Sequence, residues 1–301
     1  MELTLPAYAK INLYLDITGK LENGYHEILS LMQSVSLCDF VTLTLVPEEN
    51  GEITLECDAP NVPTGEKNLA YRAAKRYFEA IGRFPKTHIR IEKHIPMEAG
   101  LAGGSTDAAA TLVGLNRLLG GPLSLSELCS IGKSLGADVP FCICGGTMEA
   151  KGIGEILTKK PLMPKLPIVI AKKGAGVSTP GAYRALDALY HDFTDCNGTA
   201  SEGCYDALLS AIESGDTDGI AKGTYNIFEE TVFPYHDEAR FLQAFFMENG
   251  AIASRMSGSG PSVFGIFQAE EAAKCAADRI NRGAGEQIAF VTFPVSDSEE
   301  L

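Results

Sequence analysis

The sequence predicts an α+β fold in two domains. Its 301 residues suffice for two domains of ordinary size, and a hydrophobic content of 45% allows a buried core. Predicted strands and helices are mixed along the chain without strict βαβ alternation, which favours the α+β class. The segment KKPLMPKLP (159–167) contains three prolines and is typical of a domain junction. We therefore predict an N-terminal domain over residues 1–160 and a C-terminal domain over residues 161–301.

The elements of the first domain follow from hydrophobic periodicity and from glycines. The apolar, β-branched run at 3–17 predicts a strand, and two later segments alternate polar and apolar residues with the period of a strand. The third helix opens with a capping box formed by Ser124 and Glu127. The predicted order is strand 3–17, strand 41–47, helix 67–82, strand 88–95, helices 104–119 and 124–136, and a hairpin at 146–160.

The second domain repeats the mixture of strands and helices. Pro180 fits the first position of a helix, and the apolar runs at both ends of the domain predict strands. The predicted order is strand 168–173, helix 179–190, helices near 203–213 and 235–249, a strand–turn–strand unit at 251–268, a helix to about 281, and strand 287–293.

Composition and charge argue against several classes of protein. The formal net charge of −14 disfavours a general nucleic-acid binder, although a local pocket can still accept a nucleotide. Eight cysteines without zinc-finger spacing predict reduced thiols in a cytoplasmic protein. The N-terminal residues lack the pattern of a signal or transit peptide, and no run of eighteen apolar residues predicts a membrane span.

The stretch IPMEAGLAGGSTDAAA (95–110) has the composition of an anion-binding loop. Its glycines allow backbone N–H groups to surround a phosphate, and the start of the following helix adds partial positive charge. Ser105 and Thr106 are placed to donate to a phosphate or to bind a metal. A simple helix cap explains the same pattern. The acidic Glu98 and Asp107 fit a metal-bound phosphate better than a bare one.

Two further features are candidates for the same site. The turn MSGSGPS (256–262) places glycines and serines between two apolar strands, which indicates either an ordinary hairpin or a second wall of the anion site. Lys10 and Asn12 lie two residues apart in an apolar strand and so face the same side. A lysine in such a run must pair, extend its ammonium group to solvent, or serve a site.

A carboxylate and an aromatic turn are the last candidates. Asp138 follows a helix and precedes the apolar run PFCIC, which predicts a buried strand with Cys142 and Cys144 on one face. The carboxylate is either a turn residue or a base held at a cleft between domains. The turn NGYHEI (23–28) is either ordinary surface or a place where a flat ring stacks.

Three of these segments together resemble the GHMP kinases. The run Pro96–Ala108 resembles the central phosphate-binding motif of that superfamily, the turn at 257–262 resembles its third motif, and Lys10–Asn12 lies in its first. The resemblance extends from Ala7 to about Phe267. Glu98 replaces a residue that is often small in the central motif, and Ala102 replaces a glycine.

Other segments are similar to those GHMP kinases that act on a cytidine diphosphate sugar-alcohol. The resemblance implies an N-terminal domain like ribosomal protein S5 domain 2 and a C-terminal ferredoxin-like domain, with ATP and substrate in the cleft between them. It implies transfer of the ATP γ-phosphoryl group to the substrate 2-hydroxyl, a step in making isoprenoid precursors. The segments concerned are AYAKINLYLDI (7–17), NGYHEI (23–28), LGADVPFC (135–142) and GGTMEAKGIGEIL (145–157).

The resemblance also implies a role for individual residues. Asp138 would take the proton of the hydroxyl, and Lys10 beside it would orient the substrate oxygen and hold the carboxylate ionised. Mg²⁺ would complete the neutralisation of the phosphates, with no ligand assigned to it. The residues implied for substrate are Asn12, Tyr25, His26 and Tyr183, and those implied for ATP are Asn68, Lys93, Pro96, Gly100, Leu101, Ala102, Gly103, Gly104, Ser105 and Thr106.

Two other functions remain open at this point. One is a GHMP kinase for another alcohol, such as a mevalonate-type or homoserine substrate, against which the Tyr25–His26 pair argues because such a substrate has no base to stack. The other is a non-catalytic nucleotide-binding or S5-like RNA-binding module, against which Lys10 and Asp138 argue. We expect no nucleic-acid or membrane partner, and either a monomer or a homodimer.

Overall fold

The chain folds into two β-sheets with helices packed on both, in a computed structural model that describes residues 1–46, 51–190, 193, 202–285 and 288–296. The strands are β1 (Glu2–Lys20), β2 (His26–Val46), β3 (Ile53–Cys57), β4 (Lys86–Glu92), β5 (Thr147–Lys151), β6 (Ile156–Lys159), β7 (Ile168–Ala171), β8 (Tyr225–Asn226), β9 (Ala253–Met256), β10 (Val263–Ile266) and β11 (Ala289–Thr292). The helices are α1 (Leu69–Ile81), α2 (Gly103–Leu118), α3 (Leu125–Leu135), α4 (Val139–Cys144), α5 (Thr179–Leu189), α6 (Glu202–Ser214), α7 (Thr217–Gly223), α8 (Glu229–Val232), α9 (Asp237–Glu248) and α10 (Glu270–Ala284).

The first sheet has the strand order β3-β4-β2-β1-β8, and β5 and β6 extend it from β2. The long strands β1 and β2 pair in antiparallel register, with irregularities after Tyr8, Asn12 and Ile17. One face of this sheet buries residues such as Val41 and Ile89 against α1, α2 and α4, and α3 packs on these helices. The predicted α+β class is confirmed by this mixture of helices with largely antiparallel strands.

The second sheet is antiparallel in the order β11-β7-β10-β9, with α9 and α10 packed on it. Between the two sheets lies a separate apolar cluster that includes Ile11 and Leu13 from β1 and Ile170 and Phe264 from the second sheet. The middle of β1, from Ala9 to Leu15, is therefore buried on both faces. The polar side chains in this part of β1, Lys10 and Asn12, are buried and line a cavity beside the sheet.

Most elements form where the sequence places them, because local signals fix their ends. The capping box of Ser124 and Glu127 is confirmed, with the Ser124 N–H donating to the Glu127 carboxylate at 2.8 Å. Gly82 ends α1 in a left-handed conformation, and β5 and β6 form the predicted hairpin. Residues 47 and 287, at the ends of two predicted strands, lie outside the described residues.

The prediction of a strand after Asp138 is wrong. Residues 139–144 form the helix α4, with Pro140 in its first turn and Gly145 at its end. A short apolar run fits a buried helix as well as a buried strand, and periodicity alone does not separate them. Cys142 and Cys144 therefore do not share one face of a strand, and Asp138 lies at the helix start.

The boundary at residues 160 and 161 stays a prediction. The short strand β8, from the second half of the chain, pairs with β1 in the first sheet. Among the described residues, no helix is both long enough and apolar enough to cross a membrane.

Candidate functional site

A cavity of about 590 Å³ contains every residue predicted for catalysis or substrate binding. A second cavity, of about 330 Å³, adjoins it and shares Gly100 and Ala102 in its wall. We refer to them as the larger and the smaller cavity. The predicted residues in the larger cavity are Lys10, Asn12, Tyr25, His26, Asp138 and Tyr183. Those in the smaller cavity are Lys93, Pro96, Gly100, Leu101, Ala102, Gly103, Gly104 and Ser105.

Residues 96–106, the glycine loop, present unpaired backbone donors where the two cavities meet. Ala102 is the N-cap of α2 and makes no side-chain capping bond, and the first helical bond runs from Thr106 N–H to the Ala102 carbonyl at 2.9 Å. Within the described part of the chain, the N–H groups of Gly103, Gly104 and Ser105 have no protein acceptor. Three free donors at the start of a sixteen-residue helix are the arrangement that favours an anion.

Glu98 and Ala102, the two residues of this loop that depart from the family pattern, have unusual backbone angles. Glu98 has φ of 49° and Ala102 has φ of 60°, in the left-handed region that costs a non-glycine residue about 1–2 kcal/mol. The loop therefore keeps its shape at a cost in backbone energy. This explains why a glycine is the usual residue at the position of Ala102.

The second glycine turn (256–262) packs directly on the glycine loop. The Ser257 hydroxyl donates to the Gly100 carbonyl at 3.0 Å, and a Cβ placed on Gly100 would lie 2.1 Å from the Ser257 carbonyl oxygen. The Gly258 N–H donates to Asn12 Oδ1 at 2.9 Å. The two turns thus pack on each other and line the same larger cavity, and their binding of one anion stays a prediction.

Lys10 and Asn12 reach the site from β1 and are both buried. Lys10 Nζ donates to Asn12 Oδ1 at 2.6 Å, and Asn12 Nδ2 donates to the Ser30 hydroxyl at 2.8 Å. Lys10 has three donors, so two remain for other acceptors. Asn12 therefore aims the ammonium group and holds the turn at Gly258 with the same oxygen.

Asp138 also lines the larger cavity, at the N-terminus of α4. Its side chain makes no capping bond. Burial raises the pKa of the neighbouring Cys142 thiol, Asp138 raises it further, and Lys10 opposes the shift. Both charges thus act on the same thiol, although no ion pair within 4.0 Å joins Lys10 to Asp138 among the described residues.

Lys93 is held by two carboxylates rather than left free for a ligand. Its ammonium group bonds Asp39 and also Asp107 Oδ2, the latter at 2.7 Å, and all three side chains are buried. Burial raises the pKa of Asp107, an effect that Lys93 partly offsets and Asp39 reinforces. Asp107 Oδ1 is fully buried without a hydrogen-bond partner in the described structure.

This cluster predicts a pH-dependent stability that Asp107→Asn removes. Unfolded, Asp107 loses its proton near its ordinary pKa of 3.8, whereas folded it keeps the proton to higher pH. The unfolded state then binds fewer protons, so the free energy of unfolding falls as pH rises above about 4. We expect the stability of Asp107→Asn, relative to the native sequence, to increase from pH 4 to pH 8 in urea unfolding. A difference that stays constant with pH, as expected for the exposed control Asp278→Asn, would contradict this account.

Two residues predicted for ATP have their polar atoms engaged elsewhere. Asn68 caps α1: its Oδ1 accepts from the Ala70 N–H and its Nδ2 donates to the Pro63 carbonyl, each at 2.8 Å. The Thr106 hydroxyl donates to the Tyr8 carbonyl at 2.7 Å. Neither lines the smaller cavity, and a nucleotide contact for either stays a prediction.

Tyr25, His26 and Tyr183 line one part of the larger cavity, which we call its aromatic end. Tyr25 is 59% exposed whereas His26 is only 7% exposed, so the two neighbours differ sharply in accessibility. The His26 ring stacks on Tyr183 with centroids 4.8 Å apart. Burial raises the pKa of Tyr183 to about 12, and the nearby Asp138 adds to the shift. Asp138 is thus close enough to the aromatic end to act on Tyr183.

Sequence reasoning missed the residues that hold the second glycine turn. Asn226 Nδ2 donates to the carbonyls of Met256 and Gly258, at 2.7 and 2.9 Å, and Glu229 accepts from the Met256 N–H at 2.7 Å. The polar residues inside the apolar segment YNIFEETVFP (225–234) were the available signal. It also missed Asp187, which bonds His26.

Comparison with known proteins agrees with this geometry. The family model described as "GHMP kinases N terminal domain" matches residues 68–146, and that described as "GHMP kinases C terminal" matches residues 208–285. A 4-diphosphocytidyl-2-C-methyl-D-erythritol kinase of Caldicellulosiruptor saccharolyticus is 42% identical over 278 residues, covering 92% of each chain.

Solved structures give the same result. The chain superposes on a 4-(cytidine 5'-diphospho)-2C-methyl-D-erythritol kinase with a TM-score of 0.78 and 31% identity, covering 98% of this chain and 100% of that one. A homoserine kinase from Cytophaga hutchinsonii has a TM-score of 0.76 at 21% identity, covering 98% and 95%, and shows a shared fold alone. The predicted two-domain GHMP kinase architecture is thereby confirmed, and the chain belongs to the 4-diphosphocytidyl-2-C-methyl-D-erythritol kinase family of the GHMP kinases.

Proposed function

We propose that this enzyme transfers the γ-phosphoryl group of ATP to the 2-hydroxyl of 4-diphosphocytidyl-2-C-methyl-D-erythritol, in the non-mevalonate route to isoprenoid precursors. The observation that carries the proposal is the layout of the larger cavity. Lys10 and Asp138 line this cavity together with Gly100 and Ala102 of the glycine loop, and the rings of Tyr25, His26 and Tyr183 line the same cavity. The similarity to kinases that act on this substrate supports the choice.

The catalytic roles follow from the chemistry of each group. Asp138 accepts the proton of the attacking hydroxyl, which requires a carboxylate within hydrogen-bond reach of that oxygen. Lys10, aimed by Asn12, donates to the same oxygen and balances the charge that develops there. Phosphoryl transfer passes through a loose transition state, in which a protein mainly positions the groups and supplies positive charge.

The glycine loop holds the phosphates of ATP. Gly103, Gly104 and Ser105 line the smaller cavity, and their free N–H groups bind phosphate oxygens. The adenosine part occupies the smaller cavity. Lys93 lines the same cavity, but its ammonium group already bonds two carboxylates, so its role is to hold the loop in shape.

Mg²⁺ fits the oxygen donors of this loop. No cluster of three or more His, Cys, Asp or Glu residues able to hold a metal occurs among the described residues, which suits an ion bound mainly by phosphates and water. Ser105 lines the smaller cavity, and its hydroxyl would hold the ion. Bound there, the ion would neutralise the charge of the phosphates.

A direct assay tests the substrate. Purified enzyme with ATP is expected to phosphorylate the cytidine substrate and to leave mevalonate and homoserine unchanged, as followed by ADP release and by mass of the product. Turnover of mevalonate or homoserine without turnover of the cytidine substrate would overturn the proposal. The cytoplasmic location and the state as a monomer or homodimer stay predictions.

A further inference from the structure

Asp187 joins the aromatic end of the larger cavity to α5. Its Oδ1 lies 2.7 Å from His26 Nε2, and its Oδ2 lies 2.9 Å from Lys20 Nζ. The two partners come from the ends of β1 and β2, 161 residues or more away in sequence. The contact between His26 and Asp187 is therefore a product of the fold rather than of a local turn.

A carboxylate determines which nitrogen of His26 carries the proton. Burial would raise the pKa of Asp187, but hydrogen bonds from Lys20 and His26 outweigh it and lower that pKa, so the group is ionised at neutral pH. An ionised carboxylate only accepts, so Nε2 must donate to it. In neutral imidazole the other nitrogen, Nδ1, is then an acceptor.

Nδ1 of His26 is available to a ligand. In the described structure it has no hydrogen-bond partner, and it is not one of the fully buried polar atoms that lack one. His26 lines the larger cavity, and its ring is fixed by stacking on Tyr183. The cavity thus contains an oriented acceptor on a rigid ring.

The two pyrimidine bases differ at the group that meets such an acceptor. Cytosine carries an amino group at C4, a donor, whereas uracil carries a carbonyl oxygen there, an acceptor. An acceptor at Nδ1 bonds the first and repels the second. We propose that Asp187 is a positioning residue that fixes the Nε2–H tautomer of His26 and so selects a cytosine base over a uracil base. This inference rests on the proposed substrate.

The variant Asp187→Asn tests the tautomer with an almost unchanged shape. The Lys20 ammonium group can only donate, so it draws the amide oxygen of the new side chain and turns the NH₂ group towards His26. Nε2 must then accept, and the proton moves to Nδ1. We expect the affinity for cytidine 5'-diphosphate to fall about tenfold and its preference over uridine 5'-diphosphate to be lost, because one buried bond is replaced by two facing donors.

A second substitution distinguishes an effect of the His26 tautomer from a general loss of structure. In Asp187→Asn combined with Lys20→Met, the amide is free to turn its oxygen to His26, and we expect most of the cytidine preference to return. Lys20→Met alone is the matched control and should keep the preference. Titration calorimetry with the two diphosphates gives both affinities without any catalytic step. The KM for ATP should stay unchanged in all variants.

Nitrogen NMR of ¹⁵N-histidine-labelled protein reads the tautomer directly, with His26→Gln to assign the signal. We expect the native protein to carry the proton on Nε2 and Asp187→Asn to carry it on Nδ1. A native His26 protonated on Nδ1, or an Asp187→Asn variant with unchanged preference, would overturn the inference. A native protein with the expected tautomer that binds neither diphosphate would instead overturn the proposed substrate.

Discussion

Replacing Asp138 with asparagine is expected to lower kcat by about 10³-fold while ATP still binds, because the amide cannot accept the proton of the attacking hydroxyl. The substitution keeps the size of the side chain, and Asp138 makes no capping bond to α4 whose loss would confuse the result. Steady-state assays with the cytidine substrate measure kcat, and calorimetry with a non-hydrolysable ATP analogue measures binding.

The control for this prediction is Asp278→Asn, the same chemical change on the exposed face of α10. Its kcat and its ATP affinity should equal those of the native enzyme. Unchanged turnover in Asp138→Asn would remove Asp138 from the role of base. Loss of ATP binding together with turnover would assign it to the structure of the loop instead.

Gly100→Ala is expected to destabilise the protein by at least about 2 kcal/mol and to abolish ATP binding. Gly100 has φ of 73°, a region that favours glycine, and the new Cβ would lie 2.1 Å from the Ser257 carbonyl oxygen. Backbone must therefore move in both glycine turns. Thermal unfolding, followed by circular dichroism with and without the ATP analogue, measures both effects.

Gly104→Ala is the control for Gly100→Ala. It adds the same methyl group to the loop without a steric collision, so the difference in stability between the two variants measures the collision. Its Cβ would meet only Leu69, at 3.7 Å, and its backbone is helical, so stability should be unchanged or slightly increased. If phosphates approach this backbone closely, ATP affinity in Gly104→Ala falls without any loss of stability. Equal stability in Gly100→Ala and the native protein would contradict the packing of the two turns.

Local signals were sufficient to predict most of the fold. The capping box at Ser124, the glycine after α1 and the alternation in β4 each act within a few residues, and each fixed an element close to its observed ends. The first part of β2 and the short elements β3, α7, β8 and α8 were not predicted, and the apolar run after Asp138 was assigned to the wrong class. Its five residues carry too few turns of either period to distinguish α4 from a strand.

The residues of the candidate site could be predicted only where they belong to a motif that is continuous in the sequence. The glycine loop and Lys10 were found because their residue types are unusual where they stand. Asp187 could not be predicted from the sequence, because its role depends on a contact with His26, which is 161 residues away. Nor does any local pattern reveal that Lys93 is held by Asp39, 54 residues away.

The packing of Ser257 on Gly100 means that the phosphate motif depends on residues far from it in the sequence. The motif is one unbroken stretch of sequence, yet its surface is completed by Asn12 on one side and by the turn at 256–262 on the other. A fragment ending at residue 160 would contain every letter of the motif and lack one wall of the pocket. We therefore expect nucleotide affinity to require both parts of the chain, so that the motif grafted alone onto another scaffold would not transfer it.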